Sequence, residues 1–339
     1  MKTIDGSQGE GGGQVLRTSL SLAMCLQIPI RLKNIRAGRK KPGLMRQHLT
    51  CVRAAKEICK AKVVGDELGS QEVEFYPNAI QAGDYHFAIG TAGSTCLLFQ
   101  TVLPALLQAN EPSTLILEGG THNDMAPSFD FIQQSFLPRI KQIGYRLNIE
   151  LCEYGFYPNG GGKWVVNILP MSSLNPLLLV KREKIQKRLA VATSARIPQH
   201  ICERELRQVQ KKCHWQESEL EKRLVEACGP GNILSLRLTT DPSSEVFEVV
   251  GKVGISAERV ANLAIREMQR YLSSSVVIGE KLADQLLLPL ALGSGGSFTT
   301  LRPTLHTLTN IKVIQSLMEC GIEVKRIKDD EYKIIVRNE

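Results

Sequence analysis

A carboxylate set among glycines is a poor choice for a plain turn. The string Gly9-Glu10-Gly11-Gly12-Gly13-Gln14 lies between a short strand-like start and a helix pattern, where small residues let backbone N–H groups approach phosphate oxygens. Glu10 suits a hard cation held beside phosphate, and Arg17, one turn into the helix, suits the anion. The same residues also read as a tight turn needing positive φ and a solvent-facing helix charge. The string is not a Walker loop and does not keep the Gly-x-Gly-x-x-Gly spacing. At the other end of the chain, Leu301-Arg-Pro-Thr-Leu-His306-Thr-Leu-Thr-Asn310 places a histidine at the close of a strand-like run, with Thr307 or Thr309 as N-cap of the following helix. Positive potential at a helix start disfavours imidazolium, leaves a ring nitrogen free to attack, and favours an incoming phosphate. The chemistry this offers is nucleophilic attack on phosphorus, with a structural histidine as the alternative. His48, His86 and His122 read as structural, and no histidine pair flanks a glutamate at zinc-hydrolase spacing.

The elements that must position these groups recur along the chain. Gly13 opens a helix over 14–26, a second helix starts at Pro42-Gly43, and strands follow at 61–64 and 71–76. Gly90-Thr-Ala-Gly93 opens a helix over 94–108, followed by a helix over 128–143 and strands at 145–152 and 162–169. A strand at 276–278 and Gly279 open a third set, with helices over 280–292 and 309–320 and a hairpin of 322–327 and 331–337. Each set is β-α-β-α-β-β. Residues 171–275 fit none of the repeats. Their own helix patterns at 204–212 and 257–272, and strands at 233–239 and 245–250, predict an inserted α/β domain. The expectation is therefore an α/β (α+β) protein with a large repeat domain, 1–170 plus 276–339, interrupted by the insert 171–275.

Composition narrows the function classes. The chain has 339 residues, 43% apolar and 22% charged, and its mean hydropathy is −0.09, which describes a globular chain of about two domains rather than a disordered or fibrous one. No apolar run approaches a membrane span and the N-terminus lacks a signal peptide's apolar middle, so a cytoplasmic protein is expected, or a nuclear one in a eukaryote. Nine cysteines without a Cys-x-x-Cys pair read as reduced thiols, with no disulfide partner and no zinc site. Net charge is +8, and residues 31–60 hold ten Lys or Arg against Glu57 alone. Gly and Pro among those charges, in Arg36-Ala-Gly-Arg39-Lys-Lys-Pro-Gly43, put several on a loop suited to anions; a solvated helix face is the alternative. Aromatics at 5% argue against base stacking as the main grip on a nucleic acid.

Together, Ile4-Asp-Gly-Ser-Gln-Gly-Glu-Gly-Gly-Gly-Gln-Val-Leu-Arg17, Ile35-Arg-Ala-Gly-Arg-Lys-Lys-Pro-Gly-Leu44, Arg46-Gln-His48, Gly155-Phe-Tyr-Pro-Asn-Gly-Gly-Gly162, Leu282-Ala-Asp-Gln285 and His306-Thr-Leu-Thr-Asn310 closely resemble the RNA 3′-terminal phosphate cyclase family, end to end and in the family's order. The resemblance implies three β-α-β-α-β-β repeats with an inserted α/β domain. It also implies ATP-dependent conversion of an RNA 3′-phosphate to a 2′,3′-cyclic phosphodiester, through a histidine-bound AMP and an RNA-adenylate. It makes His306 the nucleophile, Glu10 the ligand for Mg²⁺ or Mn²⁺, and Arg17, Arg39 and Gln47 the groups facing phosphates. Gln100, Pro127, Phe131, Lys281, Leu282, Ala283, Asp284 and Gln285 match the nucleotide pocket; Lys281 stands where the family often has tyrosine. RNA 3′ ends are the implied partner. The family also has a non-enzymatic branch, acting in ribosome assembly, that lacks the histidine and is the alternative reading. Enolpyruvyl transferases share the repeat but not these strings.

Overall fold

The computed structural model describes residues 1–171 and 173–338. Its mixed α/β architecture is organised by three sheets of one design. In the first repeat, β1 (Lys2–Asp5), α1 (Gln14–Leu26), β2 (Ile30–Lys33), α2 (Arg46–Ile58), β3 (Lys62–Val64) and β4 (Val73–Tyr76) build a sheet ordered β1-β2-β4-β3. The pair joined through a helix, β1 and β2, is parallel, and the remaining pairs are antiparallel, as expected when only the helical crossover can reverse the chain between parallel neighbours. The second repeat has β5 (Asp84–Ala88), α3 (Thr95–Leu107), β6 (Ser113–Gly119), α4 (Phe129–Phe131), α5 (Leu137–Ile143), β7 (Arg146–Glu153) and β8 (Gly162–Leu169). Its sheet is ordered β5-β6-β8-β7, with the same parallel and antiparallel pairs. The helix expected over 128–143 is interrupted by a π-helical stretch, Ile132–Phe136, between α4 and α5.

The third sheet departs from the expectation in an informative way. Its first strand is not 276–278 but β9 (Leu177–Leu179), which runs parallel to β14 (Gly296–Leu301) at Gly296–Phe298. The chain then leaves to form the insert and returns to the same lane, where Ile278 makes an isolated parallel bridge to Thr300. One lane is thus filled by two pieces of chain. Sheet membership moves the start of the insert from residue 171 to beyond Leu179. With α8 (Glu280–Leu292), α9 (Leu305–Leu317), β15 (Cys320–Lys328) and β16 (Glu331–Asn338), the order β9-β14-β16-β15 repeats that of the other two sheets.

Within the insert, β10 (Lys187–Ala195), β11 (Leu220–Leu224), β12 (Gly231–Thr239) and β13 (Ser244–Val250) form a sheet ordered β11-β10-β12-β13. Helices α6 (His200–Cys213) and α7 (Ala257–Leu272) pack on it. Helix α7 shows why: Val260, Ala261, Ala264, Ile265 and Met268 fall on one buried stripe at helical spacing. The insert has its own core, around Trp215, Leu236 and Tyr271. A second, larger core runs through all three repeats, and α1 is buried almost all round within it, against α2, α3 and α9.

Three helix starts differ from the sequence reading, and the first is α6, which begins at His200 rather than at 204. Helix α2 begins at Arg46 rather than at Pro42-Gly43, because Gly43 sits at φ +77° in a turn and donates its N–H to the Ile35 carbonyl at 2.8 Å. Helix α9 begins at Leu305, so His306 lies inside its first turn. The N-cap is Thr304, whose Oγ1 accepts from the Thr307 N–H at 3.2 Å, and not Thr307 or Thr309. Those two hydroxyls fall within the helix instead, with Thr309 Oγ1 donating to the Leu305 carbonyl at 2.7 Å.

Candidate active site

The glycine string is a loop joining β1 to α1, and Gly13 occupies the N-cap position without any side-chain cap. The first amides of α1 are therefore free of the hydroxyl or carboxamide that usually serves them, apart from Gln14 N–H, which donates to Glu10 Oε1 at 3.1 Å. Gly9, at φ +64°, lies so close to α9 that a Cβ would collide with Thr309 Oγ1. That hydroxyl accepts from the Glu10 N–H at 3.1 Å. The loop is thus fastened to the helix that carries His306.

Gln14 connects the two ends of the chain. Its Nε2 donates to Asp284 Oδ1 at 2.6 Å, and its Oε1 lies 2.7 Å from His306 Nδ1. With the amide nitrogen committed to Asp284, Oε1 can only accept, so Nδ1 carries the ring proton and Nε2 keeps its lone pair. Asp284 is held in turn by Asn310, whose Nδ2 donates to its carbonyl at 3.0 Å, while Thr18 Oγ1 donates to Asn310 Oδ1 at 2.8 Å. Burial pushes the Asp284 carboxyl above its ordinary value, against the opposing pull of the Gln14 hydrogen bond and the charges of His306 and Arg17.

Cations surround the open helix start. Arg39 Nη2 donates to Glu10 Oε2 at 2.6 Å, and the Glu10 side chain is only 6% exposed, so the carboxylate is a buried charge relieved by one guanidinium and one amide. Arg17 is half-buried, and its guanidinium makes no hydrogen bond or ion pair among the described residues; burial lowers its pKa. Arg36 folds the 36–43 loop by donating from Nη1 to the carbonyls of Lys41 and Gly43, at 2.7 and 2.8 Å. His48, read from sequence as structural, points into this group: a Cβ on Gly13 would collide with His48 Nε2 and Arg17 Nη1. Burial, with the charges of Arg17, Arg36 and Arg39, pushes the His48 imidazole down to about 3. It is a neutral ring in a cationic cradle, with Nδ1 buried and without a hydrogen-bond partner among the described residues.

Gln47, beside it on α2, does not face the cradle with its oxygen; Oε1 accepts from the Ser94 N–H at 2.8 Å and ties α2 to the start of α3. The residues matched to the nucleotide pocket divide between two clefts. Gln14, Arg17, Gln100, Asp284 and Gln285 line one between α1, α3 and α8, where Gln100 Nε2 donates to Gln285 Oε1. Phe131 and Lys281 line the other, between the start of α8 and the insert. There Lys281 Nζ donates to Glu267 Oε2 at 2.9 Å and to the Glu248 carbonyl at 3.3 Å. Phe131, Leu282 and Ala283 are 1%, 0% and 1% exposed and are packed as core; Leu282 and Ala283 hold α8 in place so that Asp284 and Gln285 face the first cleft. Pro127, half-exposed, is in the turn before α4. Sequence reasoning missed Gln14 and His48 as site residues. The available signal was position: one closes the glycine string, the other follows Arg46-Gln47 at a helix start.

Among the described residues no group of three or more His, Cys, Asp or Glu gathers into a metal cluster. The lone Glu10 carboxylate fits a cation whose other ligands are phosphate oxygens and water, as is usual for Mg²⁺. Among the described residues no helix is long and apolar enough to cross a membrane.

Known proteins resemble this chain over nearly its whole length. The family described as RNA 3′-terminal phosphate cyclase matches residues 8–324. The RNA 3′-terminal phosphate cyclase of Koribacter versatilis (strain Ellin345) is 48% identical over 325 residues, covering 96% of this chain and 92% of its own. That of Salmonella agona (strain SL483) is 46% identical over 327 residues, covering 96% and 94%. Among solved structures, the enolpyruvyl transferase NikO from Streptomyces tendae aligns with a TM-score of 0.37 at 11% identity, over 98% of this chain and 48% of that one. On a match over nearly the whole chain, the chain belongs to the RNA 3′-terminal phosphate cyclase family and is an enzyme of the ligase class.

Proposed function

We propose that this enzyme uses ATP to convert an RNA 3′-terminal phosphate to a 2′,3′-cyclic phosphodiester, with AMP carried covalently on His306. The observation that carries the reading is the Asp284–Gln14–His306 relay, which fixes the proton on Nδ1 and leaves Nε2 as the nucleophile. The Nε2 lone pair attacks the α-phosphorus of ATP, the N–P bond forms, and the bond to the bridging oxygen breaks, releasing pyrophosphate. The ring becomes positively charged, and the Gln14 Oε1 that accepts from Nδ1–H stabilises it. An oxygen of the RNA 3′-phosphate then attacks the same phosphorus, breaking the N–P bond and returning a neutral imidazole. Finally the ribose 2′-oxygen attacks the 3′-phosphorus, loses its proton and displaces AMP; proximity of hydroxyl and phosphate in one ribose favours this closure.

Arg17 and Arg39 would meet the negative charge that develops on phosphate oxygens, together with the open amides of α1. Neutral His48 adds a polar contact without adding another positive charge beside three arginines. Glu10 would hold a Mg²⁺ or Mn²⁺ ion, which supplies further charge neutralisation at the phosphates when bound. Gln47 keeps α2 and α3 in register behind the cradle, and Gln100 and Gln285 offer amides to a nucleotide in the first cleft.

Incubation with α-labelled ATP and Mg²⁺ or Mn²⁺ should label the protein with AMP, and a 3′-phosphorylated RNA should chase the label and emerge with a cyclic end. A wild-type protein that binds RNA but takes no label would return the chain to the non-catalytic branch of the family.

A further inference from the structure

The Gly155–Gly162 string is marked in the sequence but absorbed by nothing above. It forms the loop between β7 and β8. Thr121 pins its entry, donating its N–H to the Gly155 carbonyl and accepting the Gly155 N–H at Oγ1, both at 2.9 Å. The Gly160 N–H donates to the Phe156 carbonyl at 2.7 Å, which closes the turn. Phe156 is buried, packed beside Tyr154 and His122. The next residue does the opposite: Tyr157 is 76% exposed, and its hydroxyl has no hydrogen-bond partner among the described residues. Every other aromatic side chain among them is buried or half-buried. A single ring held in solvent on a fastened loop is a deliberate placement, since exposing it forfeits the burial that aromatic residues normally gain.

The loop is contiguous with the cradle. Gly160, at φ +71°, presses its backbone onto Thr91 and Ala92, with a Cβ position 3.0 Å from the Ala92 Cα. Two residues on, Ser94 donates to Gln47, and Gly93 meets the Gln47 Cβ. His48 and Arg17 lie immediately beyond. Gln47 belongs to α2, and on that helix and the loop before it Lys40, Lys41 and Arg46 are exposed, with side chains that make no ion pair or hydrogen bond among the described residues. A ring for a base, unpaired cations for phosphates and a chain of contacts that ties the loop to the site of phosphate chemistry are the parts of a single-strand track.

We infer that Tyr157 stacks against a base of the substrate RNA upstream of its 3′-terminal nucleotide, while Lys40, Lys41 and Arg46 meet the phosphates of the strand leaving the cradle. The inference rests on the functional reading above. It refines the compositional argument: aromatics are too few for an extended platform, and one ring at a distal position adds affinity and a length requirement without reading sequence. Because every base has a π-face, the contact tolerates any nucleotide.

The test uses 3′-phosphorylated RNAs of three and twelve nucleotides with the wild-type enzyme, Tyr157→Phe and Tyr157→Ala. Tyr157→Ala should raise KM for the twelve-mer about tenfold, the scale of one lost base stack, with kcat unchanged and KM for the trinucleotide affected less. Tyr157→Phe should behave as wild type. An abasic residue at one upstream position of the twelve-mer should raise the wild-type KM by the same factor, and Tyr157→Ala should add nothing further on that RNA. Labelling by ATP alone should be equal in all three proteins. An unchanged KM for Tyr157→Ala on the twelve-mer overturns the inference, as does an increase that persists at every abasic position. A Tyr157→Ala protein that labels more slowly with ATP also overturns it, by assigning the ring to the nucleotide. Failure of the wild type to label overturns the functional reading itself, and the two failures are thereby separate.

Discussion

The first and second repeats share strand order, helix placement and a glycine loop ahead of the first helix, yet they treat that helix start in opposite ways. At α3, Ser94 is an ordinary N-cap: its Oγ accepts from the Leu97 N–H at 3.3 Å, and its own N–H is taken by Gln47. The second loop is closed, and its polar groups are spent inside the protein. At α1 the cap is Gly13, which has no side chain to offer, and the residues around it are Arg17, Arg39 and a neutral His48. The first loop is left open to an outside anion. The third repeat contributes a threonine-capped helix that delivers His306 to the open loop through Gln14. One repeated unit therefore yields a ligand cradle, a structural joint and a nucleophile carrier, and what separates them is a few side chains at helix starts.

Removing the nucleophile breaks the comparison most completely: His306→Ala should abolish AMP labelling while the thermal unfolding midpoint stays near wild type, since the ring is exposed. Closing the open loop comes next. Gly13→Ser would supply α3's type of cap to α1 and push His48 and Arg17 aside; label formation should fall by a factor on the order of 10² or more, the scale of a lost oxyanion donor. Arg39→Ala, which also strands the Glu10 carboxylate, should slow transfer by a similar order, measured by single-turnover label chase. Gln14→Ala should slow labelling about tenfold or more, because either nitrogen of His306 could then hold the proton.

The smallest effects fall on the closed side and on folding. Ser94→Ala should lower stability by about 1 kcal/mol, the usual cost of a lost N-cap, with labelling by ATP unchanged. His48 has its imidazole held near 3 in the fold against 6.5 when unfolded, so the unfolded chain binds a proton that the native one refuses. Native stability is thus unpenalised above about pH 6.5 and is lost progressively as pH falls toward 3. Replacing His48 by Gln removes that penalty, and acid unfolding followed by circular dichroism should begin at lower pH than in the wild type.

Much of this was legible in the residues. The glycine loop, the spans of α1, α7 and α8 and the threefold repeat follow from local periodicity and small-residue punctuation, which act over a few residues. What was not legible depends on contacts between distant segments. Leu177–Leu179 joins a sheet whose neighbouring strand lies beyond the whole insert, and no local pattern records that. The start of α9 was misplaced because Thr304, Thr307 and Thr309 are equally good caps by type, and only Thr304 has the extended backbone of a cap. Gln14 has no motif of its own; it gains meaning from Asp284 and His306, both far along the chain. Phe131 was expected near the nucleotide and is core, and Lys281 turns toward Glu267 of the insert rather than into the cleft with Gln285.

The central claim concerns one nitrogen atom, and it can be read directly. Wild-type enzyme incubated with ATP, digested under alkaline conditions that preserve phosphoramidates and sequenced by tandem mass spectrometry should carry AMP on the peptide containing His306, with loss of the adduct on mild acid treatment. AMP found on a lysine such as Lys40 or Lys281, or an adduct stable to acid, would contradict the account.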